Sequence, residues 1–188
     1  MAKLVEERYA QALFLAARES GQIDAYQKEV EALLNIFEEE KELMQFLLHP
    51  GVEKEEKKAV LTGVFSGRIA NDMLCFLELV AEKGHWNEIE RILKEFLDKV
   101  KEFEKIGVVY VQTAAELDEE QRAALKKRIL ETTDYRSVEL HVTVDPDLIG
   151  GIIVRIKDRI CDGSLRTRLE TLSRELSKIQ WKAGENAS

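Results

Sequence analysis

The sequence predicts a mainly α protein: an N-terminal six-helix bundle over residues 1–105, a small α/β domain of order β-α-β-β-α over 106–180, and a flexible tail over 181–188. Three observations carry this prediction. Apolar residues recur at helical spacing in six stretches before residue 105, and after Gly107 the period switches to alternation. The 188 residues include only 2 prolines and 10 glycines, with 34% charged side chains, a composition of long amphipathic helices rather than of a sandwich. The 45% of hydrophobic residues is enough for packed cores.

The first helix spans about 4–20, with Tyr9, Leu13 and Ala16 on one stripe, Ala10, Phe14 and Ala17 on the next, and Gly21 as its stop. A second, over 23–39, turns Tyr26, Val30, Leu33, Leu34 and Phe37 inward, and a short third, over 41–48, does the same with Leu43, Phe46 and Leu47. His49-Pro50-Gly51 ends it, because proline fixes φ and removes a donor. The fourth, over 53–65, opens on a charged solvated face. The fifth, over 69–82, is apolar around much of its circumference and is closed by Gly84. The sixth, over 86–105, keeps Ile89, Ile92, Leu93, Phe96, Leu97, Val100 and Phe103 in register. Short loops between six such helices make a bundle.

Beyond Gly107 a strand alternates to Thr113, Asp118 to Gln121 form a capping box for a helix to about Thr132, and 138–144 alternates again. Residues 142–172 then read strand, glycine turn, strand, tight turn, strand, helix. Asp145-Pro146-Asp147 breaks the first strand, Gly150-Gly151 supplies the turn, 152–156 is a β-branched run, Lys157-Asp158 closes a hairpin, and Ser164 is a natural N-cap for the last helix.

Charge and composition exclude several function classes. The formal net charge is −8; basic and acidic side chains balance from Lys105 onward, so the whole excess of acid lies in the helical part and disfavours a nucleic-acid role. No apolar run approaches the roughly 20 residues of a membrane span. The start carries acids and no apolar signal core, which points to a cytosolic bacterial setting. Cys75 and Cys161 are expected as buried reduced thiols, and His49, His85 and His141 lack companions at metal-ligand spacing. Gly150-Gly151 is not a phosphate loop, because no lysine-containing motif accompanies it and a strand follows. Turn and cap roles account for Asp145, Asp147, Asp158 and Asp162 without acid/base chemistry. Arg166 and Arg168 are expected to clasp Asp158 or Asp162, or else to meet an acidic partner helix.

Three blocks in order, Arg8 to Phe14, Val80 to Gly84, and above all D-G-S-L-R-x-R-L-E-x-L from Asp162 to Leu172, resemble the δ subunit of bacterial F-type ATP synthases, called the oligomycin-sensitivity-conferring protein in mitochondria. One departure is Lys157, where many members have glycine. The resemblance implies a stator subunit, not a catalyst, that needs no cofactor and sits peripherally at the cytoplasmic face of the cell membrane. Its helical domain would cap the catalytic head, with the first and fifth helices receiving the N-terminal amphipathic helix of an α subunit; Tyr9, Ala12, Leu13, Ala16, Phe76, Leu79 and Val80 are the groove candidates. Its second domain would hold the end of the dimeric b-subunit stalk, with Gly150, Gly151, Asp162, Gly163, Ser164, Arg166 and Arg168 as signature positions. The alternatives are a free-standing helical interaction module with another partner, and a small enzyme with its site near Gly150-Gly151.

Overall fold

Amphipathic spacing becomes helix almost residue for residue in the computed structural model, which describes residues 2–185. The chain is mainly helical with a small mixed sheet, and it divides after Phe103 into two compact units. The first unit holds α1 (Ala2–Glu19), α2 (Ile23–Glu39), α3 (Lys41–Leu48), α4 (Lys54–Phe65), α5 (Asn71–Glu82) and α6 (Ile89–Phe103), the last entered through a 3-10 turn at Trp86–Glu88. All six contribute to one apolar cluster, whose fully buried members include Leu33, Leu47, Leu61, Met73, Leu77, Leu93 and Phe96. Phe37 anchors it through edge-on contacts with Phe65 and Trp86, at centroid distances of 6.4 and 5.8 Å. Gly84 ends α5 at φ 76°, where the His85 and Gly84 amides donate to the carbonyls of Val80 and Ala81.

Several inward assignments shift. On α3, Met44 and Leu47 are buried and Phe46 is 37% exposed, because eight residues are too few for periodicity to fix the phase of a face. Phe103 is exposed at the end of α6 yet touches the Phe14 ring edge-on at 5.6 Å. Both thiols are exposed, Cys75 on the outer side of α5 and Cys161 on an edge strand, which corrects the expectation of burial; apolar neighbours in sequence do not decide which way a single side chain faces.

The second unit runs β1 (Ile106–Thr113), α7 (Glu119–Thr132), β2 (Ser137–Val144), a 3-10 turn at Pro146–Leu148, β3 (Ile152–Ile156), β4 (Arg159–Asp162) and α8 (Leu165–Glu185). The outer arm of the hairpin is a strand, as the element-by-element reading of 142–172 expects, so the full order is β-α-β-β-β-α, and the condensed order β-α-β-β-α is corrected by one strand because it counted the hairpin once. The sheet order is β2-β1-β3-β4, with β1 parallel to β2 and antiparallel to β3. Val109, Val111, Val138 and Ile129 of α7 form the core of this unit, while on the opposite face Tyr110 stacks on its register partner His141 at 5.2 Å. Asp118 and Gln121 complete the expected capping box. α8 stays helical through Trp181 to Glu185; the rest of the expected tail, 186–188, lies outside the described residues.

The two signature glycines serve different ends. Gly151 has φ 81°, and a Cβ there would collide with the Gly163 carbonyl oxygen and come within 3.0 Å of Ser164 Cα, so the strand and the start of α8 approach closely only without a side chain. Gly150 has no positive φ, and its hypothetical Cβ meets the flexible end of the Leu165 side chain at 2.8 Å. Gly151→Ala is therefore expected to destabilise the protein by more than about 1 kcal/mol and Gly150→Ala by clearly less, as read from urea-unfolding midpoints; equal effects would contradict the close-approach account.

Candidate functional site

Small residues on one helix and an excess of apolar ones on another leave a cleft between α1 and α5. It is lined by Val5, Arg8, Tyr9 and Ala12 of α1, by Phe76 and Leu79 of α5, and by His85 just after α5, and has a volume of about 340 Å³. Tyr9 lies at its centre, edge-on to Phe76 at 6.3 Å and tilted against His85 at 5.6 Å. Val5, Tyr9 and Ala12 recur at helical spacing, so they form a stripe beside the core stripe of Ala10, Leu13, Phe14 and Ala17. Ala12 keeps the α1 wall low, and Leu79, 43% exposed, presents an isobutyl group to whatever enters.

Four of the seven groove candidates, Tyr9, Ala12, Phe76 and Leu79, line this cleft. Leu13 at 3% exposure and Val80 at 0% are committed to the core, and Ala16 is exposed outside the cleft. The helical period offers a neighbouring stripe for every core stripe, so the two are separable only once the core is known. Val5, Arg8 and His85 line the cleft without having been named as groove candidates, although extending the 9/12 stripe one turn back would have reached Val5. Arg8 is exposed at the rim, a donor for a carboxylate, and His85 Nδ1 lies 3.9 Å from Glu88.

Two acids of α5 are held by helices other than α1. The Glu78 carboxylate accepts from the Thr62 hydroxyl at 2.7 Å and pairs with Lys58 Nζ at 3.2 Å, both from α4; the hydroxyl first, then Lys58, hold it below the usual glutamate range despite partial burial. At the other end of α5, the Tyr26 hydroxyl donates to Asp72 at 3.1 Å, and burial, followed by this carboxylate, pushes the phenol up.

In the second unit, Asp162 accepts from the Ser164 amide at 2.9 Å and the Thr167 hydroxyl at 2.7 Å, and these bonds hold its carboxyl below the usual range. The Ser164 hydroxyl accepts from the Thr167 amide at 3.3 Å, an N-cap as expected. The arginine clasp does not form. Arg166 pairs with Glu170 on its own helix at 3.2 Å, and Arg168 has no ion pair among the described residues, because the Asp162 carboxylate is already occupied in capping the helix start. Gly163 seals the junction by donating to the Ile152 carbonyl, as Leu165 does to Gly150.

An open apolar cleft between two helices, with an α/β unit following, defines a helical interaction subunit. The family model of the ATP synthase delta (OSCP) subunit matches residues 5–176, and the chain belongs to that family, a peripheral-stalk component of the F-type ATP synthase. It is 43% identical over 180 residues, 96% of this chain and 99% of the relative, to ATP synthase subunit delta of Lachnoclostridium phytofermentans. With the subunit delta of Desulforamulus reducens it shares 38% over 175 residues, 93% of this chain and 96% of that one. Its fold resembles a chain of the Toxoplasma gondii mitochondrial ATP synthase, with a TM-score of 0.69 at 22% identity over 91% of this chain and 96% of the other. Relatives of this kind are structural subunits of an enzyme complex. No helix among the described residues is long and apolar enough to cross a membrane.

The Glu78 attachment yields a pH-dependent prediction. A carboxylate whose folded pKa lies below its unfolded value contributes stability above the unfolded value, near 4.5, and loses it as pH falls through the folded one. Thr62→Val should therefore cost about 1 kcal/mol at pH 7, with a smaller difference from wild type near pH 3 in thermal melts. A difference that grows on acidification would reverse the assignment.

Proposed function

We propose that this chain is the non-catalytic stator link of a bacterial F-type ATP synthase, acting at the cytoplasmic face of the membrane. In this reading α1–α6 form a six-helix bundle that caps the catalytic head, and the cleft between α1 and α5 receives the amphipathic N-terminal helix of the ATP synthase α subunit. The second unit, over 106–180, grips the b-subunit stalk. The observation that carries it is the cleft: Val5, Tyr9, Ala12, Phe76 and Leu79 make an apolar floor and walls with Arg8 at the rim, the chemistry that takes the apolar face of a helix and a flanking acid. Rotation of the central shaft loads this joint, so apolar burial with slow release suits it better than steered, salt-sensitive contacts. No cofactor has a part in such a mechanism.

Calorimetric titration with a peptide spanning the N-terminal helix of the α subunit tests this directly. One-to-one binding with a negative heat-capacity change is expected, and a folded protein that binds no peptide would refute the cleft as the head contact. Leu79→Asp and Tyr9→Asp are expected to weaken binding by about tenfold or more while leaving the protein folded. Val80→Asp should instead unfold the unit, since it places a carboxylate at a fully buried position. A fragment ending at residue 105 is expected to fold and bind the peptide but not a segment from the end of the b stalk; loss of helical circular dichroism in that fragment would defeat the two-domain boundary.

A further inference from the structure

The two walls of the cleft are anchored to different helices. α1 packs chiefly on α6 and α2, whereas α5 packs chiefly on α4. Between the walls themselves the cleft-floor contact is the ring pair of Tyr9 and Phe76. The width of the cleft, and the angle at which Phe76 and Leu79 face it, therefore depend on how the other helices hold α5.

α5 does not specify its own start. Its N-cap is Ala70, which has no side-chain acceptor, and the third helical residue is Met73, so neither half of a capping box is available within the helix. The missing bond comes from α2, where Glu29 Oε1 accepts from the Ala70 amide at 3.0 Å. The second Glu29 oxygen is buried without a hydrogen-bond partner among the described residues, which leaves the positive end of the α5 dipole as its compensation. One turn earlier on α2, Tyr26 holds Asp72, and farther along α5 Thr62 and Lys58 of α4 hold Glu78. The polar attachments of α5 to α2 and α4 thus sit at its start and, two-thirds of the way along, at Glu78. Apolar contacts alone would tolerate a small roll, since apolar residues occupy most of the α5 circumference.

We infer that Tyr26, Glu29 and Thr62, none of which lines the cleft, are positioning residues that lock α5 in the rotation presenting Phe76 and Leu79, and so set the affinity of the cleft for an incoming apolar helix. This rests on the reading of the cleft as the site of the α-subunit helix. Releasing α5 lowers the fraction of molecules with a competent cleft, and apparent affinity falls by that fraction.

The test uses the full chain, the same α-subunit peptide, and amide hydrogen exchange resolved over residues 71–82. The Tyr26→Phe/Thr62→Val double variant keeps ring and volume and removes both hydroxyls; Glu29→Gln keeps an acceptor for the Ala70 amide, and Glu29→Ala removes it. Affinity is expected to fall about three- to tenfold in the double variant and in Glu29→Ala, less in Glu29→Gln, with faster exchange confined to α5 while α6 keeps its protection. A wild-type protein that binds no peptide would bring down the cleft reading itself. Wild-type binding with unchanged affinity in the variants, or lower melting temperatures without faster exchange in α5, would overturn the positioning role.

Discussion

A helix that is apolar around most of its circumference cannot be satisfied by a single neighbour, and α5 is such a helix. Met73, Leu77 and Val80 are fully buried in the core of the first unit, and Phe76 and Ala81 nearly so, yet Leu79 is left partly exposed on the side toward α1. α4 packs along α5, α2 holds its start through Tyr26 and Glu29, Gly84 and the 3-10 turn lead the chain to α6, and a cleft is left toward α1. Burying one leucine side chain contributes about 1.5–3 kcal/mol, so an exposed Leu79 beside Phe76 and Tyr9 is a sizeable local source of binding energy.

The second unit rests on a different constraint, the approach of β3 to the start of α8. Gly151 removes the side chain that would block it, and Gly163 and Leu165 donate to the carbonyls of Ile152 and Gly150 across the gap. Asp162 and Ser164 then satisfy the first-turn donors of the helix. The signature run is thereby a backbone device: Asp162 and Ser164 are both occupied in making one sharp junction, which is why their pattern points to turns and caps and to no catalytic chemistry.

Much of this was legible in the residues. Period 3.6 located all six helices of the first unit, and the bounds of α2 and α3 agree to the residue because Gly21, Pro50 and their neighbours punctuate them. The switch after Gly107 and the capping box at Asp118 located β1 and α7. What periodicity could not separate was the core stripe from the cleft stripe of α1 and α5, so Leu13 and Val80 stood beside Tyr9 and Leu79 as equals. Nor could it expose bonds between helices far apart in sequence: Glu29 to Ala70 and Thr62 to Glu78 are invisible to any local pattern. The arginine clasp failed because a nearer carboxylate, Glu170 one turn on, competes at no entropic disadvantage.

The central place of β1 has a mechanical side. The chain enters the second unit at Glu104 and, after only two residues, goes into the strand that is hydrogen-bonded on both edges, to β2 along its whole length and to β3 along five residues. A load directed along that strand shears the ladders on both sides together rather than peeling them open one bond at a time. Resistance to pulling is a matter of the unfolding barrier rather than of equilibrium stability, and a terminal strand buried in mid-sheet raises that barrier where an edge strand would not.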